Sequence, residues 1–419
     1  MDINEILKGV NCECGKHHTC SIEKVYIEHG AIAHLTELCE EYTNILVVAD
    51  ENTFAAAGKQ TLKALEGKNI NEVIFSGNTV LIPDEKAIEK VNEKLDGTEL
   101  IVAIGSGVMQ DLCKYMSHIS KIPYMVVATA PSMDGYASDG AAMILGGMKV
   151  TVAAGLPKAI VAATEVLKDA PMEMLQAGYG DIIGKYSALC DWQLSRVVNG
   201  EYFCQYIYDM TYAQINAVVS AVEGIVKRDE ESIRKVMEAL IIVGIMMSFA
   251  GSSRPASGSE HHLSHYFEIV GIVKDEPYFV HGIDVAYSTV VTAKVRESVL
   301  SKKFPDAIYR EDADAYRSNM EKIYGSVADG CIKLQEKVGN YAADRLSIYK
   351  EKETEIRAVL AKMPSADKIE ELLKLVGMDM KTFTDMYSEQ KINDAIKYAK
   401  DLKDRYTVLW INYDLFEGK

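Results

Sequence analysis

The chain has 419 residues, of which 48% are hydrophobic and 25% charged, a composition typical of a globular protein long enough for two domains. Its net charge of −16 argues against a general nucleic-acid binder or a protein that binds acidic membranes. The longest apolar run, Ala239 to Gly251, is too short to span a bilayer, and the first ten residues lack the features of a signal peptide. We therefore expect a cytoplasmic protein with no nucleic-acid partner and no membrane insertion.

The segment at residues 11–20 contains CECGKHHTC, with three cysteines and two histidines. These residue types bind metals, but the spacing is not one of the usual paired CxxC patterns and no second pair follows. We predict a structural segment without a constitutive metal, which could still acquire zinc in vitro. Most of the eight cysteines have the pattern of small buried residues, not of a disulfide framework.

Strand and helix patterns alternate in the first part of the chain. Short apolar runs predict strands at Ile45–Asp50, Asn71–Phe75, Glu99–Gly105, Pro123–Thr129, Ala141–Leu145 and Ala159–Ala163. Helical patterns lie between them, including the amphipathic DEKAIEKVNEKL with its acidic start. This alternation predicts a Rossmann-like domain with a mainly parallel sheet, covered by helices on both faces.

The strand signal stops after about Thr164, and helical periods continue to the end of the chain. We predict an α/β dinucleotide-binding domain at residues 1–163 and an all-helical domain for metal and substrate at residues 164–419. The active site is expected in a cleft between the two domains, where ligands commonly bind.

A predicted strand ends at Gly105-Ser106-Gly107, and a helix follows almost at once. Glycines at such a turn let the backbone approach a phosphate, and the helix N-terminus supplies amides and a positive dipole end. An ordinary strand-to-helix turn would satisfy the same pattern, so both interpretations stay open.

Asp50 ends the ILVVAD strand, where doubly wound folds place an acidic residue on the adenosine ribose. Such a carboxylate favours NAD over NADP, since it repels a 2′-phosphate. The alternative is a helix N-cap.

Further along, TAPSMDGYASDGAAM is a long polar loop after a strand. Its Thr129 and Ser132 are candidates for cofactor hydrogen bonds, and its Asp134 is a candidate for the reacting centre.

Four of the nine histidines lie in one stretch, SGSEHHLSHYFEIVGIVKDEPYFVHG. His261 and His265 are four apart and share one face of a predicted helix, whereas His262 points about 100° away. His281 stands in a His-Gly at the start of a new element. The cluster indicates a divalent-metal site, although a polar helix with surface histidines shows the same pattern.

The stretch AGYGDIIGKYSALCDW supplies a candidate for the missing ligand. Asp181 and Lys185 are four apart on one helix face, and the alternative is an exposed ion pair of negligible stability. Two histidines do not complete a catalytic zinc set, so Asp181 is a candidate third ligand. Two imidazoles and one carboxylate suit Zn²⁺, Ni²⁺ or Fe²⁺ alike.

Four stretches, SMDGYAS, GYGDIIGKYSALCDW, SRPASGSEHHLSH and VHG, together resemble the sn-glycerol-1-phosphate dehydrogenases, particularly the bacterial form. That family belongs to the wider group of glycerol dehydrogenases, iron-containing alcohol dehydrogenases and dehydroquinate synthases. The resemblance runs from about Cys12 through His281. It implies that the metal ligands are Asp181, His261 and His281, and it leaves His262 either as a bystander or as a residue that supports a ligand without touching the metal.

The resemblance also implies roles for other residues. GSGVMQDLCK is similar to the group's GGGSVIDxAK, which holds the cofactor diphosphate, although it departs at Ser106 and Val108. Asp111 lies in the same stretch and is assigned with it to the cofactor site. Asp134 matches the aspartate of the loop over the nicotinamide, and His265 takes the place of a substrate-pocket histidine.

The activity that the resemblance implies is the metal-dependent reduction of dihydroxyacetone phosphate by NADH, or by NADPH, to sn-glycerol 1-phosphate, and the reverse reaction, in phospholipid metabolism. The metal, zinc first and nickel or iron as alternatives, would polarise the ketone oxygen, and His265 or a water would supply a proton. Asp134 and Lys185 complete the catalytic assignments.

We expect Lys185, Arg254 or both to bind the substrate phosphate, and Asp134 and His265 to line the substrate pocket. A homo-oligomer, a dimer or larger, is expected.

Two other activities stay open. A glycerol or polyol dehydrogenase would keep the metal and NAD but lack a phosphate pocket. A carbocycle synthase similar to dehydroquinate synthase, which is a lyase, would use NAD only transiently and need more basic residues around the cleft. SMDGYAS and SRPASG favour the phosphate dehydrogenase over both.

Overall fold

The computed structural model describes residues 2–79, 81–146 and 148–417. Its strands are β1 Val10–Asn11, β2 His17–His18, β3 Lys24–Glu28, β4 Asn44–Asp50, β5 Asn69–Phe75, β6 Leu100–Gly105, β7 Tyr124–Ala128, β8 Gly140–Leu145, β9 Met148–Ala153 and β10 Ala159–Ala163. Its α-helices are α1 Ile3–Leu7, α2 Leu35–Leu38, α3 Glu51–Thr53, α4 Lys59–Ala64, α5 Glu85–Asn92, α6 Gly107–Ser120, α7 Thr164–Leu167, α8 Met172–Asn199, α9 Gln205–Ser220, α10 Val222–Val226, α11 Glu230–Ala250, α12 Ser259–Lys274, α13 His281–Ser301, α14 Ala313–Tyr324, α15 Ala328–Val338, α16 Leu346–Glu351, α17 Glu353–Leu360, α18 Ala366–Leu375, α19 Met380–Met386, α20 Glu389–Tyr398 and α21 Val408–Phe416. Short 3₁₀ helices lie at Ala31–His34, Asp134–Ala137, Gly325–Val327 and Ala399–Leu402, and a π-helical turn lies at Phe54–Gly58.

Six strands form one parallel sheet in the order β3-β10-β7-β6-β4-β5. Every residue of β6, β7 and β10 is buried, as expected for central strands of a parallel sheet with both faces covered. Five of the six predicted strands lie in this sheet. The prediction of a mainly parallel sheet is therefore confirmed, and the edge strand β3 is an addition that its mixed polarity, KVYIE, did not signal.

The run Ala141–Leu145 has a different place from the other predicted strands. It lies in β8, which pairs antiparallel with β9 in a separate two-stranded sheet. A short connection leads directly from β8 to β9, and a short connection can join only antiparallel strands, because parallel neighbours need a long crossover.

The sheet has a topological switch point between β4 and β6. The chain leaves β4 toward β5 on one side and returns through α5 to β6 on the other side. The carboxyl ends of β4 and β6, at Asp50 and Gly105, are therefore neighbours across a paired register. In open α/β sheets this is the position at which nucleotides bind.

The chain divides into two compact units, the first comprising Met1–Ile182 with Asn216–Ser253 and the second Ile183–Ile215 with Arg254–Lys419. The first unit contains the parallel sheet, and its core is formed by aliphatic residues of the strands and the surrounding helices. The second unit is helical in its described residues and has its own apolar core around Trp410.

The fold class predicted from the sequence, α/β followed by all-α, is confirmed, whereas the functional division at residue 163 stays a prediction. No helix in the described part of the chain is long and apolar enough to cross a membrane.

Two glycines of the first unit pack closely against the loop after β7, one beside Pro131 and the other beside the 3₁₀ helix Asp134–Ala137. A Cβ on Gly178, in α8, would overlap the carbonyl oxygen of Pro131. A Cβ on Gly244, in α11, would lie 2.7 Å from the Cβ of Ala137. Neither backbone can move away without opening the buried contact, so both positions exclude any side chain.

We expect Gly178→Ala to lower the free energy of unfolding by about 1–3 kcal/mol, the usual cost of forcing a methyl group into a packed contact. Gly330→Ala is the matched control, because a Cβ there meets nothing within 4 Å. Its unfolding free energy should be unchanged or should rise by up to about 1 kcal/mol, since alanine is the better helix former. Urea unfolding of the two variants measures the difference. Equal stability of Gly178→Ala and the wild type would contradict this packing.

Candidate active site

The turn between β6 and α6 is the cofactor end of the candidate site. Gly105 has to be glycine, because a Cβ there would lie 2.5 Å from the Cβ of Met109. Ser106 caps the 14-residue helix α6: its Oγ accepts from the Gly107 amide at 2.7 Å and lies 2.6 Å from Ser132 Oγ. The helix end presents a positive dipole and amides that suit an anionic group. This geometry supports the predicted diphosphate site, whose contacts with a cofactor stay a prediction.

Asp50 has a defined structural role at the end of β4. Its Oδ1 accepts hydrogen bonds from the amides of Asn52 and Thr53, both at 2.9 Å, and Thr53 Oγ1 accepts from the Asp50 amide at 3.1 Å. This is a capping box, so the N-cap alternative that the sequence left open describes the structure. Contact with a ribose stays a prediction, supported by the position of Asp50 at the switch point.

The loop after β7 brings its predicted residues toward the same end of the sheet. Thr129 donates its amide to Gly105 O at 3.1 Å, and Thr129, Ser132 and Asp134 are all buried. The amide of Asp134 donates to Asp181 Oδ2 at 2.9 Å. One hydrogen bond therefore joins the predicted nicotinamide loop to the predicted metal ligand.

Lys114 anchors this loop from helix α6. Its buried Nζ donates to the carbonyl oxygens of Gly135, Ser138 and Gly140 at 2.8–2.9 Å. Asp111, one turn earlier, has its Oδ1 3.7 Å from this ammonium and balances part of its charge. Burial lowers the pKa of Lys114, and Asp111 opposes that shift. Direct contact between Asp111 and a cofactor stays a prediction.

The three predicted metal ligands converge. Asp181 on α8, His261 on α12 and His281 at the start of α13 each offer one ligand atom, and these atoms all lie within 4.8 Å of one another. Asp181 and His261 are buried, and His281 is partly buried. Two ligand atoms about 2.0–2.2 Å from one ion are at most about 4.4 Å apart, so the three groups are close to the spacing that a shared ion requires.

Hydrogen bonds orient both imidazoles for a metal. His261 Nδ1 lies 2.7 Å from Glu260 Oε1, which also accepts from the Gly258 amide at 2.8 Å. A carboxylate at this position accepts a hydrogen bond from the Nδ1–H group, so the proton stays on Nδ1 and Nε2 keeps its lone pair for a metal. His281 Nδ1 lies 3.4 Å from Ser264 Oγ in a weaker contact of the same kind. This is the arrangement by which ligand histidines are usually held.

Close packing of α8 fixes where Asp181 stands. A Cβ on Gly184 would lie 2.6 Å from Val285 in α13, so the two helices touch at backbone distance there. Lys185, fully buried, donates its Nζ to Ala256 O at 3.1 Å. Asp181 precedes Lys185 by about one turn on the same continuous helix. Asp181 and Lys185 are therefore held by one continuous helix.

The two remaining histidines of the cluster differ from each other. The His265 ring centroid lies 6.2 Å from that of His261 and 5.6 Å from that of His281, so His265 borders the ligand group. His262 is completely buried, and its ring nitrogens have no hydrogen-bond partner among the described residues. Burial lowers the pKa of His262 well below its usual value and keeps it neutral. A buried, neutral ring of this kind is typical of a packing residue.

Arg254 has structural partners that the sequence did not predict. Its Nε donates to Glu201 Oε1 at 2.6 Å, its Nη2 to Ser195 Oγ at 3.2 Å, and its Nη1 to Tyr406 O at 3.0 Å. This forked, mostly buried ion pair favours a role in holding the helical unit together. Phosphate binding by Arg254 stays a prediction.

Sequence reasoning did not assign three residues that shape this site. Glu260 directly precedes the histidines and has no predicted role, yet it orients His261. Ser264 follows His261 by three residues and so lies on the same face of α12. This spacing is the one sequence signal for the contact of Ser264 with His281. Lys114 stands in the GSGVMQDLCK motif without an assigned partner, because its carbonyl acceptors belong to another loop.

Comparisons with known proteins place this geometry in a class. A family model described as iron-containing alcohol dehydrogenase matches residues 26–171. An iron-containing alcohol dehydrogenase from Thermococcus thioreducens has a similar fold, with a TM-score of 0.63 and 14% identity, and the alignment covers 96% of this chain and all of that one. The sulfoacetaldehyde reductase from Bifidobacterium kashiwanohense, solved in complex with NAD⁺, matches with the same TM-score and identity over 97% of this chain and 98% of that one. The fold is thus that of the iron-containing alcohol dehydrogenases.

A glycerol-1-phosphate dehydrogenase (NAD(P)⁺) of Geobacillus thermodenitrificans is 32% identical over 381 residues, which cover 89% of this chain and 88% of the relative. The chain belongs to the glycerol-1-phosphate dehydrogenase family. The family resemblance stated from the sequence is confirmed, and with it the prediction of an oxidoreductase.

The contact between Glu260 and His261 gives a prediction about metal affinity. Glu260→Gln keeps the shape and can keep the hydrogen bond, but it removes the negative charge that makes the imidazole a stronger ligand. We expect about 10–100-fold weaker metal binding, the usual effect of losing such a partner. Competition with a chromophoric chelator measures the affinity. Glu276→Gln, at an exposed carboxylate paired with Lys391, is the control and should not change it. Equal affinities of the two variants would contradict the orienting role.

Proposed function

We propose that the chain catalyses the reversible reduction of dihydroxyacetone phosphate by NADH or NADPH to sn-glycerol 1-phosphate. The observation that carries the proposal is the convergence of Asp181, His261 and His281, in a chain whose relatives are named for this reaction. One carboxylate and two imidazoles leave open positions on an ion, which a metal acting on substrate requires.

The donor set fits a divalent metal. The Glu260 contact at Nδ1 leaves Nε2 of His261 as its ligand atom, and Asp181 offers a carboxylate oxygen. His281, whose Nδ1 lies beside Ser264 Oγ, would bind through Nε2 as well. The proposed resident ion is Zn²⁺, with Ni²⁺ and Fe²⁺ as alternatives, because this ligand set suits all three. When bound, the ion supplies Lewis-acid polarisation of the substrate carbonyl.

The cofactor is proposed to bind at the switch point of the sheet. Gly105 and Gly107 let its diphosphate approach the N-terminus of α6, with Ser106 and Ser132 hydroxyls at the same turn. Asp50 would face the adenosine ribose, and a carboxylate there would favour NAD over NADP. The NAD⁺ complex of the structurally similar sulfoacetaldehyde reductase supports a dinucleotide cofactor in this fold.

The substrate end is proposed to use Lys185, Asp134 and His265. Lys185 is the cation nearest to Asp181 along α8 and would pair with the substrate phosphate. Asp134, hydrogen-bonded through its amide to Asp181, would hold the nicotinamide loop beside the ligands. His265 would hold a proton at a ring nitrogen and deliver it to the substrate oxygen as hydride arrives at carbon. A homo-oligomeric assembly is part of the same proposal.

The experiment that tests the activity is NADH oxidation with dihydroxyacetone phosphate, followed by identification of the product enantiomer. We expect turnover and sn-glycerol 1-phosphate. Turnover with glycerol and NAD⁺, without turnover of the phosphorylated ketone, would contradict the proposal and favour a polyol dehydrogenase.

The proposed role of Lys185 predicts a substrate-specific effect. In Lys185→Met the loss of a charge-assisted hydrogen bond, worth about 1.5–3 kcal/mol, should raise the KM for dihydroxyacetone phosphate by about 10–100-fold. The KM for unphosphorylated dihydroxyacetone should change much less. Steady-state kinetics with both ketones measures the difference.

Arg254→Met is the matched comparison, because it also removes one cation close to the histidine stretch. Its guanidinium already pairs with Glu201, so we expect a loss of thermal stability and similar KM changes for both ketones. Equal effects of Lys185→Met on the two substrates would contradict its phosphate role. A selective effect of Arg254→Met would transfer that role to Arg254.

A further inference from the structure

A second group of metal-binding side chains lies away from the Asp181 ligands. Cys12, Cys14, His18 and Cys204 each offer one ligand atom, and these atoms all lie within 4.8 Å of one another. Three thiols and one imidazole form a set that structural zinc sites use. The proposed dehydrogenase reaction assigns no role to any of these residues.

A tight hairpin positions the first three side chains. Strands β1 and β2 pair antiparallel, with Val10 opposite His18. In the turn between them, the Cys12 amide donates to Lys16 O and the Gly15 amide donates to Cys12 O, both at 3.0 Å. Gly15 has a φ of +84°, a conformation that side chains other than glycine rarely adopt. The turn thus holds the two cysteines beside the histidine strand.

His18 is oriented as a ligand. Its Nδ1 lies 2.9 Å from the carbonyl oxygen of Phe249, which can only accept, so Nδ1 carries the proton. In the neutral ring Nε2 then keeps its lone pair, and this atom is 3.4 Å from Cys14 Sγ. The separation is close to the roughly 3.6 Å expected between a sulfur and a nitrogen on one tetrahedral Zn²⁺. Stacking on Phe249, with ring centroids 5.3 Å apart, fixes the ring plane.

Cys204 completes the set at the start of α9. Its side chain is buried, and its carbonyl oxygen accepts from the Tyr208 amide, so it stands at the N-terminal end of that helix. The positive end of the helix dipole stabilises an anion such as a thiolate. The fourth ligand therefore combines burial with an environment that suits its charged form.

The grouping is selective within the Cys/His-rich segment. His17 is exposed and contacts Asn11 Oδ1 at 2.8 Å. Cys20 is outside the ligand group, and burial raises its pKa. A tetrahedral metal site has only four ligand positions, and Cys12, Cys14, His18 and Cys204 fill them. Cys20 is therefore not needed as a ligand.

We propose that Cys12, Cys14, His18 and Cys204 form a closed, four-ligand structural Zn²⁺ site. Binding converts the three thiols to thiolates with release of their protons, and the ion carries no open position for substrate. This proposal differs from the prediction of an N-terminal segment without a constitutive metal. The spacing of cysteines and histidines in residues 11–20 does not reveal the site, because the fourth ligand, Cys204, lies in a different part of the chain.

Cobalt substitution tests this site separately from the proposed catalytic one. Untagged protein expressed with Co²⁺ should show thiolate-to-cobalt charge-transfer absorption in the near ultraviolet. The Asp181, His261 and His281 set contains no sulfur and cannot produce that band. Asp181→Asn should therefore keep the band, whereas Cys14→Ser and Cys204→Ser should each weaken and shift it. Cys20→Ser, the matched control, should retain the wild-type spectrum.

Metal analysis supplies the second readout. We expect about two ions per chain in the wild type and in Cys20→Ser, and about one in Cys14→Ser or Cys204→Ser. A cobalt-loaded wild type without the charge-transfer band would overturn the site without any substituted protein. A band that persists unchanged in both Cys14→Ser and Cys204→Ser would overturn this ligand set. Neither result depends on which ketone the enzyme reduces.

Discussion

The structure depends on how closely helix α8 approaches the elements that pack against it. Gly178 lets its backbone reach the carbonyl oxygen of Pro131, and Gly184 lets it touch α13 near Val285. Asp181 lies between these two glycines on the same helix, so its carboxylate is positioned by backbone contacts and not by a flexible side chain alone. Rigid placement of this kind is what a metal ligand requires, because small displacements weaken binding and catalysis.

Buried charges around the histidine helix support the same arrangement. Asp191 Oδ2 accepts from the Ser259 amide at the start of α12 and lies 3.3 Å from Arg296 Nη2. Burial raises the pKa values of Asp191 and Glu260, and Arg296 opposes the shift at Asp191. Such groups are costly to bury without partners. Glu260, which contacts His261, is the carboxylate of this pair that would strengthen a metal ligand.

Sequence patterns predicted much of this arrangement. Buried strands such as Ile45–Asp50 have apolar runs that only a covered parallel sheet explains, and Gly105-Ser106-Gly107 stands at the predicted strand-to-helix turn. The four-residue spacing of His261 and His265 and the His-Gly at His281 pointed to a metal cluster, which the structure joins to Asp181.

Contacts between distant parts of the chain could not be predicted. The pairing of Arg254 with Glu201 joins residues 53 positions apart, and no local pattern signals it. Cys204 has no neighbouring cysteine or histidine, so only the folded chain brings it to Cys12 and Cys14. The function of Asp50 could not be predicted for a different reason. An aspartate at the end of β4 is expected both for a helix N-cap and for a ribose contact, so the sequence cannot distinguish the two roles.

The central claim is that Asp181, His261 and His281 hold one divalent ion. Anomalous X-ray scattering from crystals of the metal-loaded enzyme, recorded at the absorption edge of its metal, tests this claim most directly. The account predicts a peak within bonding distance of an Asp181 carboxylate oxygen and the Nε2 atoms of His261 and His281. A loaded, active enzyme with no anomalous peak at these three side chains would contradict it.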